Sequence, residues 1–344
     1  MKQERLGYLD SARGLAAIGV LFAHAIASFS EKSLDLITLA SFTESYLDLG
    51  KIFLILFFLT SGFVIPYSIR GEGRNAIKSF VLSRFFRLYP VYWLSAILGF
   101  ILMGTFTLKE LLVNLTMLQQ FFGVENIIGL YWTLQLELIF YFLIALTFVF
   151  NRLNNMKFLF QTSVFFLLIS LVMAVVRNAL IVKLPLALPL SLSLMYFSSY
   201  YRYYVISNSF YASKLSNYYF IFFGILIPII SYLGYNYDFG FNESWLKYTL
   251  SYFIGLSLFI GICHFKHSSL IMEYLGKVSY SIYVFHPLAI FIIQRVTILD
   301  SFSGFAKVIL VLGSTILFSH FTYSLIEQPS INFGRKLRKR IVKG

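Results

Sequence analysis

The stretch Ser11–Ala25, SARGLAAIGVLFAHA, decides the fold. It is apolar enough to be a buried or lipid-facing helix, yet it carries Arg13 and, eleven residues on, His24. The rest of the chain repeats the pattern of long apolar runs with few, isolated ionisable residues. Of 344 residues, 58% are hydrophobic and 19% aromatic, with a mean hydropathy of +0.77. Soluble domains hold about 45–50% apolar residues, so the composition is that of a polytopic membrane protein. The runs do not alternate polar and apolar residues as barrel strands do, and the expected fold is an all-α membrane bundle.

Ten spans are predicted, at 9–29, 49–69, 88–106, 127–150, 158–176, 184–200, 216–235, 246–264, 279–298 and 305–326. Pro185 and Pro189 break the start of the sixth, and tyrosines crowd its end. The first run lacks a small-residue cleavage site and is read as a span rather than a leader. With the N-terminus inside, 20 of the 28 Lys and Arg residues fall on the cytoplasmic side, and nine of the 15 acidic residues fall outside. Both termini are therefore expected to be cytoplasmic. The net charge of +13 follows this asymmetry and lines one membrane face, so nucleic acid is not the expected partner; the lipid bilayer is. Residues 1–330 read as one membrane domain and 331–344 as a basic cytoplasmic tail. Cys263, alone of its kind, excludes an intrachain disulfide.

A charge inside a span costs at least about 2.5–3.5 kcal/mol and is a functional candidate by default. Arg13 lies about a turn from the cytoplasmic edge, where snorkelling to the headgroups also accounts for it. His24 is deeper. Eleven helical steps return to nearly the same face and rise about 16 Å, so the two side chains share a stripe without touching. Asp10 reads as a helix cap or as a partner for Arg13 three residues on. Glu137, in YWTLQLELIFY (131–141), is the other deep charge. If its span enters near residue 127, its depth approaches that of His24, and it would orient the imidazole as a base. A local bond to Tyr131, Gln135 or water is the alternative. Arg84 and Arg87, three apart in SRFFRLYPVYW (83–93), would present paired guanidiniums to phosphate, or anchor the span at the headgroups. Ser61-Gly62, in FFLTSGFVI, offers a hydroxyl and a close backbone approach, or simply packing. No two histidines share a helix at metal-ligand spacing, and no metal site is expected.

In order along the chain, LDSARGLAAIGVLFAH (9–24), FFLTSGF (57–63), RFFRLYP (84–90), YWTLQLELIFY (131–141), VSYSIYVFHPL (278–288) and IEQPS (326–330) resemble the acyltransferase-3 family. That family includes bacterial O-antigen and exopolysaccharide O-acetyltransferases. The resemblance implies a multi-pass protein of the bacterial inner membrane. It would transfer an acyl group, usually acetyl, from acyl-CoA as co-substrate to a hydroxyl of a glycan or lipid-linked sugar. His24 and Glu137 would be catalytic, His24 as general base toward the acceptor hydroxyl or by briefly taking the acyl group itself, with Glu137 orienting it. Arg13, Arg84, Arg87 and Tyr89 would bind the donor, with Asp10, Ser61, Trp132 and His286 in support. A proton-coupled transporter is the rival reading of buried Arg, His and Glu, but it expects pseudo-symmetric halves, whereas these residues crowd the first 141. Oligomeric state is not legible.

Overall fold

The computed structural model describes residues 6–30, 34–240 and 243–343. It is 84% helical, and no strand occurs among the described residues. The helices are α1 (Gly7–Ser30), α2 (Leu34–Tyr46), α3 (Leu49–Val64), α4 (Gly73–Met103), α5 (Leu108–Asn114), α6 (Tyr131–Val149) and α7 (Met156–Leu180). They continue with α8 (Ala187–Ser207), α9 (Phe210–Gly234), α10 (Trp245–Phe265), α11 (Leu270–Arg295), α12 (Gly304–Thr322) and α13 (Gln328–Lys343). Among the described residues, nine helical stretches are long and apolar enough to cross a bilayer; α8 is not one of them.

α8 nevertheless runs the depth of the bundle. Leu186, just before it, meets Gly234 at the end of α9, while Ser199 and Arg202 near its other end bond to the carbonyls of Gly62 and Phe63 at the end of α3. Its unbroken burial from Pro189 to Arg202 explains its polarity. Enclosed by protein, its hydroxyls find partners there: the Ser193 hydroxyl donates to the Ser163 carbonyl at 2.7 Å and lies 2.8 Å from the Tyr219 hydroxyl. Small residues allow the approach, since a Cβ on Gly62 would collide with the Met195 backbone. With α8, ten helical stretches among the described residues run the depth of the bundle, and Leu6 at one described end and α13 at the other both border the basic cavity.

α1 and α11 pack most intimately. A Cβ at Gly14 would strike the Met272 carbonyl, and one at Gly276 would strike that of Asp10. The two helices run in the same direction and hold their register outward, where Gln294 Nε2 donates to the Ser28 carbonyl at 3.0 Å. Ten residues beyond Gly14 and Gly276 lie His24 and His286.

Two boundaries differ from expectation. α4 starts at Gly73 rather than 88, and its 31 residues span about 46 Å, longer than the hydrocarbon core, so its first turns form an arm at the basic face. At the other end Gly104 closes α4 with φ +67°, and the chain doubles back along it. Tyr89, Tyr92 and Trp93 donate to the carbonyls of Thr116, Asn114 and Leu115 at 3.0, 2.7 and 2.9 Å. The buried Asn114 amide secures this segment by donating to the Glu110 and Glu125 carbonyls and accepting from the Ile127 amide. α6 therefore begins at Tyr131, part-way down α4, where the Tyr131 and Ser95 hydroxyls meet at 2.9 Å. Within the stretch expected as a basic cytoplasmic tail, residues 331–343 are helical and continue from α12 through a π-helical turn at Tyr323–Glu327.

Candidate active site: an arginine cavity and a histidine pair

At the basic face the helix ends enclose a cavity of about 480 Å³. α1 contributes Asp10 and Arg13, the loop after α3 contributes Arg70, and α4 contributes Arg84 and Arg87. Arg202 of α8 and Arg335 and Arg338 of α13 complete the basic lining, in which Asp10 is the one carboxylate among the described residues. Arg13 donates to Asp10 at 3.1 Å, as their spacing predicts. Arg84 lies over the rings of Phe80 and Tyr141 at 5.4 and 5.5 Å, and its buried Nε has no partner among the described residues. Arg202 lies 4.4 Å from the Tyr67 ring. So many guanidiniums sharing a recess repel one another, and a multiply charged anion is the ligand that relieves this.

Toward the acidic face, His24 Nδ1 and His286 Nε2 are 2.9 Å apart, with the rings stacked at 5.2 Å and 11°. His286 is fully buried. Its Nδ1 sits 3.2 Å from the Ile282 carbonyl, which only an N–H can satisfy. A neutral His286 thus accepts through Nε2, His24 donates through Nδ1, and His24 Nε2 keeps its lone pair. A Cβ on Gly50 would lie 3.6 Å from that Nε2 and 3.3 Å from Asp48 Oδ1. Gly50 therefore sets no side chain against that nitrogen. Tyr283 meets His286 edge-on at 5.9 Å and bonds Thr133 at 2.7 Å.

The expected pairing of Glu137 with His24 is not what the structure contains. Glu137 accepts from the Tyr141 hydroxyl at 2.5 Å, and its charge acts on Arg13 and Arg87. Because α6 begins part-way down α4, Glu137 belongs to the arginine level. Thr133 lies opposite Tyr283, three residues inward of His286, and Glu137 is another turn further inward, about 10 Å below the histidines along the axes. The carboxylate whose field reaches His24 is Asp48, which caps α3 by accepting from the Lys51 amide at 2.8 Å.

Tyr89 is also placed differently. Arg84 and Arg87 face the cavity, but Phe85, Tyr89 and Trp93, at four-residue spacing, form an aromatic stack on another face of α4, with Tyr89 and Phe85 4.9 Å apart. Trp132 lines a second cavity of about 370 Å³ with Gln120, Gln135 and Pro185. At Ser61-Gly62 the glycine makes the close approach to α8, and Ser61 contributes its carbonyl to the Ile65 amide. Two residues outside the sequence-derived set belong here. Asp48 is signalled by its place just before an apolar run, as a helix cap. Glu327 is fully buried in the π-helical turn, accepts from Ser281 at 2.8 Å and acts on Arg87. Its sequence signal is the lone carboxylate of IEQPS (326–330), next to an apolar run.

Fold and site together define a polytopic helical membrane protein with an arginine-lined recess at one face and a pair of hydrogen-bonded histidines deeper in the bundle. The model of one family, described as an acyltransferase domain, matches residues 6–323, nearly the whole chain. The chain belongs to the acyltransferase-3 family and is a membrane acyltransferase. No curated protein and no solved structure matches it.

Proposed function

We propose that this acyltransferase moves an acyl group, acetyl in the first instance, from cytoplasmic acyl-CoA to a hydroxyl of a cell-surface glycan or lipid-linked sugar at the bacterial inner membrane. The observation that carries this reading is one stripe on α1, with Arg13 in the basic cavity and His24 about 16 Å further along, hydrogen-bonded to His286. CoA suits the layout: its phosphates match the guanidiniums, and its thin pantetheine arm is comparable in length to the stripe. The lining of the cavity does not include His24, so the arm enters by parting the side chains between.

His24 Nε2 takes the proton of the acceptor hydroxyl as its oxygen attacks the thioester carbonyl. The C–S bond then breaks, the ester forms, and the departing sulfur takes the proton back from the imidazolium. His286 positions the base and receives its Nδ1–H bond. Donor from the basic face and acceptor from the acidic face make the transfer trans-bilayer, with no movement of CoA across the membrane.

The test is transfer of label from radiolabelled acetyl-CoA by the purified protein. His24→Ala should lower turnover about 10²- to 10⁴-fold, the usual weight of a general base. Arg84→Ala or Arg87→Ala should raise donor KM with little change in kcat. Full transfer by the His24 variant overturns the reading, and so does an unchanged donor KM in both arginine variants.

A further inference from the structure

α13 lies beyond the residues matched by the family, yet it forms one wall of the basic cavity. Its three faces are distinct. Ser330, Phe333 and Gly334 seat it on the α4 arm: Ser330 donates to the Phe86 carbonyl at 2.8 Å, the Phe333 and Phe86 rings meet at 5.3 Å, and a Cβ on Gly334 would come within 2.8 Å of Phe86 Cβ. Ile331, Arg335 and Arg338, at spacings of four and three, share the face turned to the cavity. Lys336, Lys339 and Arg340 are exposed and are not part of the cavity lining. Amphipathic anchoring to anionic lipid accounts for the last set but not for two arginines aimed inward.

The cavity is also graded. Arg335 is exposed and Arg338 half-buried at its mouth, whereas Arg13 has its side chain only 20% exposed and bonds Asp10 further in. An extended CoA carries its pyrophosphate next to the pantetheine arm and its ribose 3′-phosphate farthest from the thioester. Resting on the acyl-CoA reading above, we propose that Arg335 and Arg338 of α13 bind the 3′-phosphate, while Arg13, Arg84 and Arg87 bind the pyrophosphate. α13 is then a specificity element, selecting donors that carry a terminal phosphomonoester.

The experiment is equilibrium binding of CoA and of 3′-dephospho-CoA to the full chain in nanodiscs, which needs no acceptor. Wild type should bind CoA about tenfold tighter, the weight of one charge-assisted phosphate contact. R335A/R338A should lose that preference by weakening CoA alone, K336A/R340A should keep it, and Arg84→Ala should weaken both ligands alike. The assignment is overturned if wild type does not discriminate, if R335A/R338A still discriminates tenfold, or if K336A/R340A loses as much. Where Arg84→Ala weakens both ligands and the α13 pair changes nothing, α13 alone is misassigned. If wild type binds neither ligand, the acyl-CoA reading falls as well.

Discussion

At the scale of single residues, the centre depends on which nitrogen of which histidine carries a proton. The Ile282 carbonyl decides this for His286, and His286 decides it for His24. On the proposed reading His286 is a positioning residue, and it is the more buried of the two. His286→Ala should cost about 10- to 100-fold in turnover, the usual range for a group that orients another, while leaving CoA affinity unchanged. His286→Gln offers an amide oxygen to the same N–H and should recover part of the loss. Equal turnover in the two variants would show that the bond is immaterial. Arg13, Arg84, Arg87 and His24 were legible as isolated charges in apolar surroundings, because such charges are expensive and so informative. The partner of His24 was not, since 262 residues separate it from His286 and only the packed α1–α11 pair brings them together. Glu137 lies at another level than its apolar run implies for a related reason: the run starts near residue 127, but the helix begins at Tyr131, which already lies opposite Ser95 of α4.

At the scale of elements, the glycine contacts between α1 and α11 hold the histidines in register. Gly276→Val would drive a branched side chain into the Asp10 carbonyl. Overpacking costs about 1–3 kcal/mol, and here it also separates His24 from His286. Acyl transfer should fall further than the thermal midpoint does; a stability loss with proportionate activity would count against the register argument. A second joint lies at the acidic face, where Asp35 of α2 accepts from the Gly304 amide at 3.2 Å and the Phe305 amide at 3.0 Å at the start of α12. The Phe305 amide above all, with that of Gly304, holds the Asp35 carboxyl below its ordinary value. A carboxyl lowered by folding stabilises fully above its unfolded value of about 3.9 and loses that stabilisation as pH falls through its folded value. The stability gap between wild type and Asp35→Ala should thus be constant near neutrality and close under acid; a gap that widens with acid would contradict the bond. Of the elements, the spans were readable from apolar run length. The α4 arm and α13 were not, because polar residues on a helix held by neighbouring protein look like loop or tail when each run is judged alone.

At the scale of the whole molecule, charge is unevenly spread across the bundle: seven arginines line one cavity, whereas Asp35, Asp48, Asp238 and Glu243 lie toward the opposite face, where Arg177 pairs with Glu243. Binding of CoA should weaken as salt rises from about 50 to 500 mM, because part of the attraction acts over distances that ions screen. An affinity indifferent to salt would place the nucleotide outside the arginine cavity. The interior is unusual in that its most enclosed helix, α8, is also among its least apolar. Sequence hydropathy measures affinity for lipid, and α8 meets little lipid. The same fact bears on biogenesis. A segment with Ser191, Ser193, Ser198 and Ser199 and a buried Arg202 has little reason to partition from the insertion channel into bilayer by itself. It requires α3 and α7, already made, and α9, still to come, as its solvent, so α8 is expected to settle with these neighbours rather than as a span on its own.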